Sequence, residues 1–295
     1  MQNLTQIAII GTTASGKSAL AIELACEFGG VILSLDSLAI YKQIDIASAK
    51  PSVDELGLVP HFGINLINPD EEFSAGEFFK IYKSAAEQAK RLNAPLFITG
   101  GSGFYLKSML EGLSPAVPKI AKSDMPSLDE IYATARHVDS EWANKFSPSD
   151  SYRLYRWWEI YKFTEEVPSE FLAKNRRPPI IKELEVFDIL WQKDELRERI
   201  KTRTKQMLEA GLIEEARGLF ARYNQNLKSL RSIGLKECGE YLRGEIGSAD
   251  ELSELISTHT AQLAKRQRTF NKGQFKGKFT GTLLECKSAI KCYLG

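Results

Sequence analysis

Residues 9–20 read IIGTTASGKSAL. Within them, Gly11-Thr12-Thr13-Ala14-Ser15-Gly16-Lys17-Ser18 meets the pattern G-x-x-x-x-G-K-[ST] at every fixed position. Glycines at both ends let the backbone wrap an anion. Loop amides and the N-terminus of the following helix then face phosphate oxygens. Lys17 adds charge at the far phosphates, and the Ser18 hydroxyl is a candidate Mg²⁺ ligand. The flanks supply the context the motif needs. TQIAII, residues 5–10, is a short Ile-rich run that predicts a buried strand, and a helix follows from about Lys17 to Phe28. All eight residues from Gly11 to Ser18 are therefore expected to hold a polyphosphate. The motif does not name the group transferred, and the tail of ATP is its default ligand.

Working outward, VILSL at 31–35 predicts a second strand that ends at Asp36. Ser74 and Glu77 form a capping-box pair before a helix running to about Leu92. PLFIT at 95–99 predicts a third strand, leading into Gly100-Gly101-Ser102-Gly103. Strands alternating with helices imply a P-loop NTPase-like α/β core, a parallel sheet flanked by helices. After Leu113 the chain turns rich in Pro and Ser, and 114–150 reads as a small helical insertion that contacts a partner. A helix rich in Arg, Tyr and Trp is expected near 149–164. EVFDILW at 185–191 returns to strand character, and from Asp194 the chain is mainly helical, with a further capping-box pair at Ser248 and Glu251. The expected division is 1–113 for the first part of the core, 114–150 for the insertion, and 151–295 for the rest of the core with a helical C-terminal part.

The totals narrow the function classes. At 295 residues and 43% hydrophobic content, the chain can bury a sizeable core, and its net charge of +1 provides no global attraction to nucleic acid. Any basic site must be local. No apolar run is long enough to cross a bilayer, and no signal peptide is expected ahead of the phosphate motif. Cys26, Cys238, Cys286 and Cys292 form no CxxC pair and are expected as reduced thiols in a cytoplasmic protein.

In open α/β sheets, ligands bind at the carboxyl ends of the strands. Asp36 is expected there as a magnesium ligand, a general base or a helix cap. Ser102 is expected there as a hydrogen-bond donor, or as part of a plain left-handed turn. Tyr41, Asp45 and Lys50 in the following loop read as solvated surface. A phosphate cradle, a carboxylate and a hydroxyl at one sheet edge suit transfer chemistry better than simple binding.

Several segments together resemble the tRNA dimethylallyltransferase (tRNA isopentenyltransferase) family. They are GTTASGKS, SLDSLAIYKQIDIASAKP and GGSGFYLKSMLEGLSP, then DSYRLYRWWE, RIKTRTKQMLEAGLIEE, SLRSIGLKE and LAKRQRTF, in the family's order from about residue 7 to 270. Departures include Leu235 for the usual Tyr, Trp157 and Trp158 for Ala and Leu, Ser102 for a common Thr, and Thr12 for a common Pro. The resemblance implies transfer of a dimethylallyl group from dimethylallyl diphosphate to N6 of the adenine 3′ of the anticodon in tRNA. Asp36 is then the general base. Lys17, the loop amides, Ser18 through Mg²⁺, Ser102 and Arg203 stabilise the leaving diphosphate. From the residues alone, Arg203 could equally be an outward-facing helix residue, no better than Arg197 or Arg199.

The anticodon stem-loop partner is expected to meet Asp36, Ser37, Leu38, Ala39, Ser102, Arg153, Arg156, Arg231, Lys236, Lys265, Arg266 and Gln267. RNA loops are held by basic side chains and by stacking on aromatic or Arg planes. YRLYRWWEIYK at 152–162 and the acid-free stretch 261–279, with six Lys or Arg, both suit that. The Trp residues of the first equally suit core packing, and the second equally suits a solvated helix and tail. A monomer is expected. A P-loop kinase of a small metabolite or nucleotide shares the cradle, the Mg²⁺ and the strand-end Asp, but does not need the basic, aromatic second half. A nucleotide-gated RNA-binding protein would not need Asp36.

Overall fold

The computed structural model describes residues 4–295. The chain forms two compact units, Met1–Leu110 with Ile181–Gly295, and Glu111–Ile180. In chain order, the larger unit begins with β1 (Gln6–Gly11), α1 (Lys17–Phe28), β2 (Val31–Ser34), α2 (Val53–Leu58), β3 (His61–Phe62), α3 (Ala75–Leu92), β4 (Leu96–Thr99) and α4 (Gly103–Glu111). The smaller unit holds α5 (Leu128–Val138), α6 (Ser140–Ala143), α7 (Ser151–Thr164) and α8 (Pro168–Lys174). The larger unit resumes with β5 (Glu185–Ile189), α9 (Lys193–Glu209), α10 (Leu212–Arg222), α11 (Leu235–Leu242), α12 (Ala249–Gln274), β6 (Phe279–Gly281) and α13 (Leu283–Leu294).

The sheet is wholly parallel in the order β3-β2-β4-β1-β5-β6. Its inner strands are near-continuous apolar runs because helices cover both faces. Ile7, Ile9, Phe97 and Phe187 pack on one face with Leu24 of α1 and Cys286 and Ile290 of α13. The register aligns the carboxyl ends of the strands, with Ile9 opposite Thr99 and Gly11 opposite Ile189. The phosphate loop, Asp36 and Ser102 therefore leave the sheet along one edge.

The α/β core expected from the sequence is present, and three local expectations change. The inserted unit runs from 111 to 180 rather than 114–150. Leu154 and Trp157 of α7 pack on Ile131, Ala135 and Ala143, so the aromatic helix is a wall of the insertion and not a return to the core. Asp45 is solvated as expected, but Lys50 is not. The Lys50 side chain is 3% exposed and donates to the Tyr41 carbonyl at 2.6 Å, Asp45 Oδ1 at 2.7 Å and Asn65 Oδ1 at 2.7 Å. Glu215 of α10 accepts from the backbone N–H groups of Asp45, Ile46 and Ala47, pinning the same loop from the other side. At α12, Ser248 Oγ accepts from the Glu251 N–H, but the Glu251 carboxylate reaches back to Gly247 N–H at 2.9 Å, one residue earlier than a capping box requires. The sequence reading also missed β6 and α13. β6 is a three-residue edge strand with Phe279 and Thr280 exposed, too short and too wet to give a periodic signal.

Candidate active site

The phosphate loop closes on α1 through two left-handed residues, Ala14 at φ 60° and Gly16 at φ 90°. The Lys17 side chain is buried, and Nζ donates to the Thr12 carbonyl at 3.1 Å. Burial lowers its pKa to about 8, against the raising effect of Asp36, and Arg203 lowers it further. Ser18 is exposed in the first turn of α1.

Asp36 leaves β2 and turns the chain with one oxygen. Oδ1 accepts from the N–H groups of Leu38 at 2.8 Å and Ala39 at 3.2 Å. The helix cap expected as one alternative is not formed, since residues 37–40 make a turn and no helix follows before Val53; the turn uses one of the two carboxylate oxygens. The loop after β4 comes close to the loop after β2. Ser102 N–H donates to the Leu35 carbonyl at 3.1 Å, and a Cβ at Gly100 would stand 2.4 Å from the Leu35 backbone, so only glycine fits. Tyr105, at the start of α4, has its pKa raised by burial and then by Tyr41 and Asp36. Ser102 is half-buried beside them.

Arg203 is half-buried on α9. Burial lowers its pKa, Asp36 opposes this, and Arg199 adds to it. Lys17, Asp36 and Arg203 therefore form one electrostatic cluster. Other side chains hold the loop from outside, and of these sequence reasoning selected only Gln267. Arg199 Nε donates to the Ala14 carbonyl at 2.9 Å while its guanidinium lies 4.2 Å from the Trp191 ring centre. Trp191 Nε1 donates to the Ser15 carbonyl at 3.0 Å, and Arg268 donates to the Trp191 carbonyl at 2.8 Å. The available signal was spacing: Arg199 and Arg203 lie one helical turn apart. Gln267 of α12 spans two loops, with Oε1 accepting from Thr13 N–H at 2.7 Å and Nε2 donating to the Gly101 carbonyl at 3.1 Å.

The remaining candidates are dispersed. Ser37 is exposed, Leu38 half-buried and Ala39 buried. Lys265 and Arg266 are exposed on α12, flanking Gln267. Arg231 is exposed in the short turn Ser229–Arg231, and Lys236 on α11 pairs with Glu240 at 3.4 Å. Arg153 and Arg156 belong to the smaller unit. There Arg153 pairs with Asp150 and lies over the Phe146 ring, and Arg156 pairs with the buried Glu159 at 2.8 Å. Among the described residues, no group of three His, Cys, Asp or Glu side chains converges as a metal cage. The hydroxyl of Ser18 is the kind of single donor that suits a Mg²⁺ carried mainly by phosphate oxygens and water.

A buried lysine in a glycine cradle, with a carboxylate and a guanidinium coupled to it, defines a P-loop group-transfer enzyme. The protein-family model described as IPP transferase matches residues 39–274. The chain belongs to that family. It is 60% identical over 289 residues to the tRNA dimethylallyltransferase of Campylobacter concisus (strain 13826), covering 98% of each chain, and 43% identical to that of Aliarcobacter butzleri (strain RM4018), covering 98% and 99%. Among solved structures, it resembles a eukaryotic dimethylallyltransferase acting on tRNA with a TM-score of 0.80 and 27% identity, over 95% of this chain and 75% of that one. It also resembles the tRNA isopentenylpyrophosphate transferase of Staphylococcus epidermidis with a TM-score of 0.70 and 27% identity, covering 99% of each.

Proposed function

We propose that this chain transfers a dimethylallyl group from dimethylallyl diphosphate to N6 of the adenine 3′ of the anticodon in tRNA. The observation that carries the reading is that Asp36 meets the phosphate loop: its Oδ2 lies against Gly101, which Gln267 joins to Thr13 of the loop. A diphosphate leaving group needs cations, and an aromatic amine needs a base, at one place. The names of the near relatives and of the solved neighbours support the same chemistry.

The adenine amine is a weak nucleophile because its lone pair is delocalised into the ring. As its nitrogen bonds to C1 of the donor, the C1–O bond breaks and diphosphate leaves. The amine proton passes to Asp36, whose Oδ1 is held by the turn and whose Oδ2 faces Gly101. Negative charge grows on the diphosphate, where loop amides, Lys17, Arg203 and the Ser102 hydroxyl stabilise it. Ser18 would help the diphosphate hold Mg²⁺, which would supply further charge neutralisation. Lys265, Arg266, Arg231 and Lys236, with the inserted unit bearing Arg153 and Arg156, contact the anticodon stem-loop, and Ser37, Leu38, Ala39 and Gln267 lie nearer the acceptor. All the groups of the reaction come from one chain, so a monomer suffices. The reading implies a cytoplasmic enzyme.

The test is label transfer from dimethylallyl diphosphate, with Mg²⁺, to unmodified tRNA. Asp36→Asn should lower transfer by roughly 10²–10⁴-fold while tRNA still binds. ATP-dependent phosphorylation of a small molecule without transfer to RNA would replace this reading with a kinase.

A further inference from the structure

Gln267 touches both loops that flank Asp36. Its Oε1 is used by Thr13 N–H, and one of its two Nε2 protons by the Gly101 carbonyl. Nε2 has a defined neighbourhood beyond that contact. A Cβ built on Gly101 would stand 2.8 Å from Nε2 and 3.7 Å from Asp36 Oδ2. The lack of a side chain at Gly101 therefore leaves a space bordered on one side by an amide donor. On the other side lies the carboxylate oxygen that the turn does not use.

That pair of groups matches a base edge with an amine donor beside a ring-nitrogen acceptor, which guanine and uracil lack. Adenine offers an amine donor with a ring nitrogen acceptor directly beside it, N7 on one edge and N1 on the other, and glutamine reads this pair in nucleic acid recognition. An adenine in that space would set its amine toward Asp36 and its ring nitrogen toward Nε2. Guanine would set its O6 acceptor against the carboxylate. An N7 contact would exclude the pyrimidines as well.

We propose that Gln267 is a specificity-determining residue, donating from Nε2 to a ring nitrogen of the acceptor adenine while Asp36 takes the amine proton. The inference rests on the transferase reading. In this arrangement the same carboxamide holds Thr13 of the phosphate loop, so a correctly read base and a correctly shaped phosphate loop share one side chain.

The test pairs deletion of the side-chain donor with deletion of its partner atom. Transfer kcat/KM is measured on anticodon stem-loop RNAs carrying adenine, 1-deazaadenine or 7-deazaadenine at the acceptor position. The enzymes are the wild type, Gln267→Met and Gln267→Glu. One deaza substitution should cost the wild type about tenfold to a hundredfold and cost Gln267→Met nothing further. Gln267→Glu keeps an oxygen for Thr13 N–H but presents an acceptor where the donor was, and should lose transfer to adenine at least as severely as Gln267→Met. Losses that multiply independently on both deaza RNAs overturn the proposal. Binding of inorganic diphosphate is measured alongside. Its loss in Gln267→Met, together with independent losses on the RNAs, identifies Gln267 as a brace of the phosphate loop only. If the wild type transfers nothing to the unmodified adenine RNA, the transferase reading falls first and base reading falls with it.

Discussion

Lys17 carries its charge where burial opposes it. Desolvation, with Arg203, outweighs Asp36 and brings its pKa from 10.5 to about 8. The sign follows from linkage. An unfolded lysine holds its proton to higher pH, so the burial penalty is full below pH 8 and is relieved as pH rises toward 10.5. The phosphate grip runs the other way, since it needs the proton. Affinity for inorganic diphosphate in the free enzyme should fall as pH rises through 8. Lys17→Arg, whose guanidinium stays charged, should lack that limb. A pH series of diphosphate inhibition constants checks it, and parallel profiles for the two proteins would remove Lys17 from the grip. At this scale, legibility depended on whether a role leaves a local pattern. Lys17 sits in a motif, and Asp36 and Ser102 sit at strand ends, so their surroundings were readable from spacing. Lys50 was misread because its partners, Asn65 and the Tyr41 carbonyl, converge only when the loop folds. Arg203 is distinguished from Arg197 by which side of α9 meets the loop, and that is a tertiary fact.

The helices show the same boundary between pattern and packing. α7 looks like a basic aromatic strip in the sequence, yet Leu154, Trp157 and Ile160 return at helical spacing and are all buried. Its cations are largely engaged within the unit, Arg156 on Glu159 and Lys162 over the Trp158 ring at 5.1 Å. Trp157 Nε1 donates at 3.0 Å to Asp139, a carboxylate 5% exposed that also accepts from the Ser169 backbone and hydroxyl. This network ties α7 to α8 through the start of α6. Trp157→Phe keeps most of the apolar volume and removes one donor from a buried carboxylate. It should destabilise the inserted unit by about 1–3 kcal/mol. Urea unfolding followed by the remaining tryptophans measures this, and diphosphate binding to the larger unit should not change. An unaltered unfolding midpoint would mean that Asp139 is adequately held by Ser169 alone.

Across the whole molecule, the charges nearly cancel, and RNA binding must come from where they lie. The net charge is +1 over 295 residues, while 261–279 contains six cations and no acid. The fold already uses two of the six. Lys278 pairs with the buried Asp188 at 3.3 Å, and Arg268 holds the Trp191 carbonyl. Lys265, Arg266, Lys272 and Lys276 are left exposed. Each phosphate neutralised on a single-stranded segment contributes about −0.7 to the slope of log affinity against log salt. If Lys265 and Arg266 each meet a phosphate, the double variant Lys265→Gln, Arg266→Gln should flatten that slope by about 1.4. Lys80→Gln, Lys83→Gln makes the same change in net charge on α3, where both residues are exposed, and should leave the slope as it was. Titrations of a fluorescent anticodon stem-loop at several KCl concentrations separate the two outcomes. Equal flattening by both pairs would mean that the enzyme attracts RNA through its overall charge, and α12 would lose its place in the interface. Flattening by the α12 pair alone would show how a nearly neutral chain holds a polyanion, with cations concentrated on one helix.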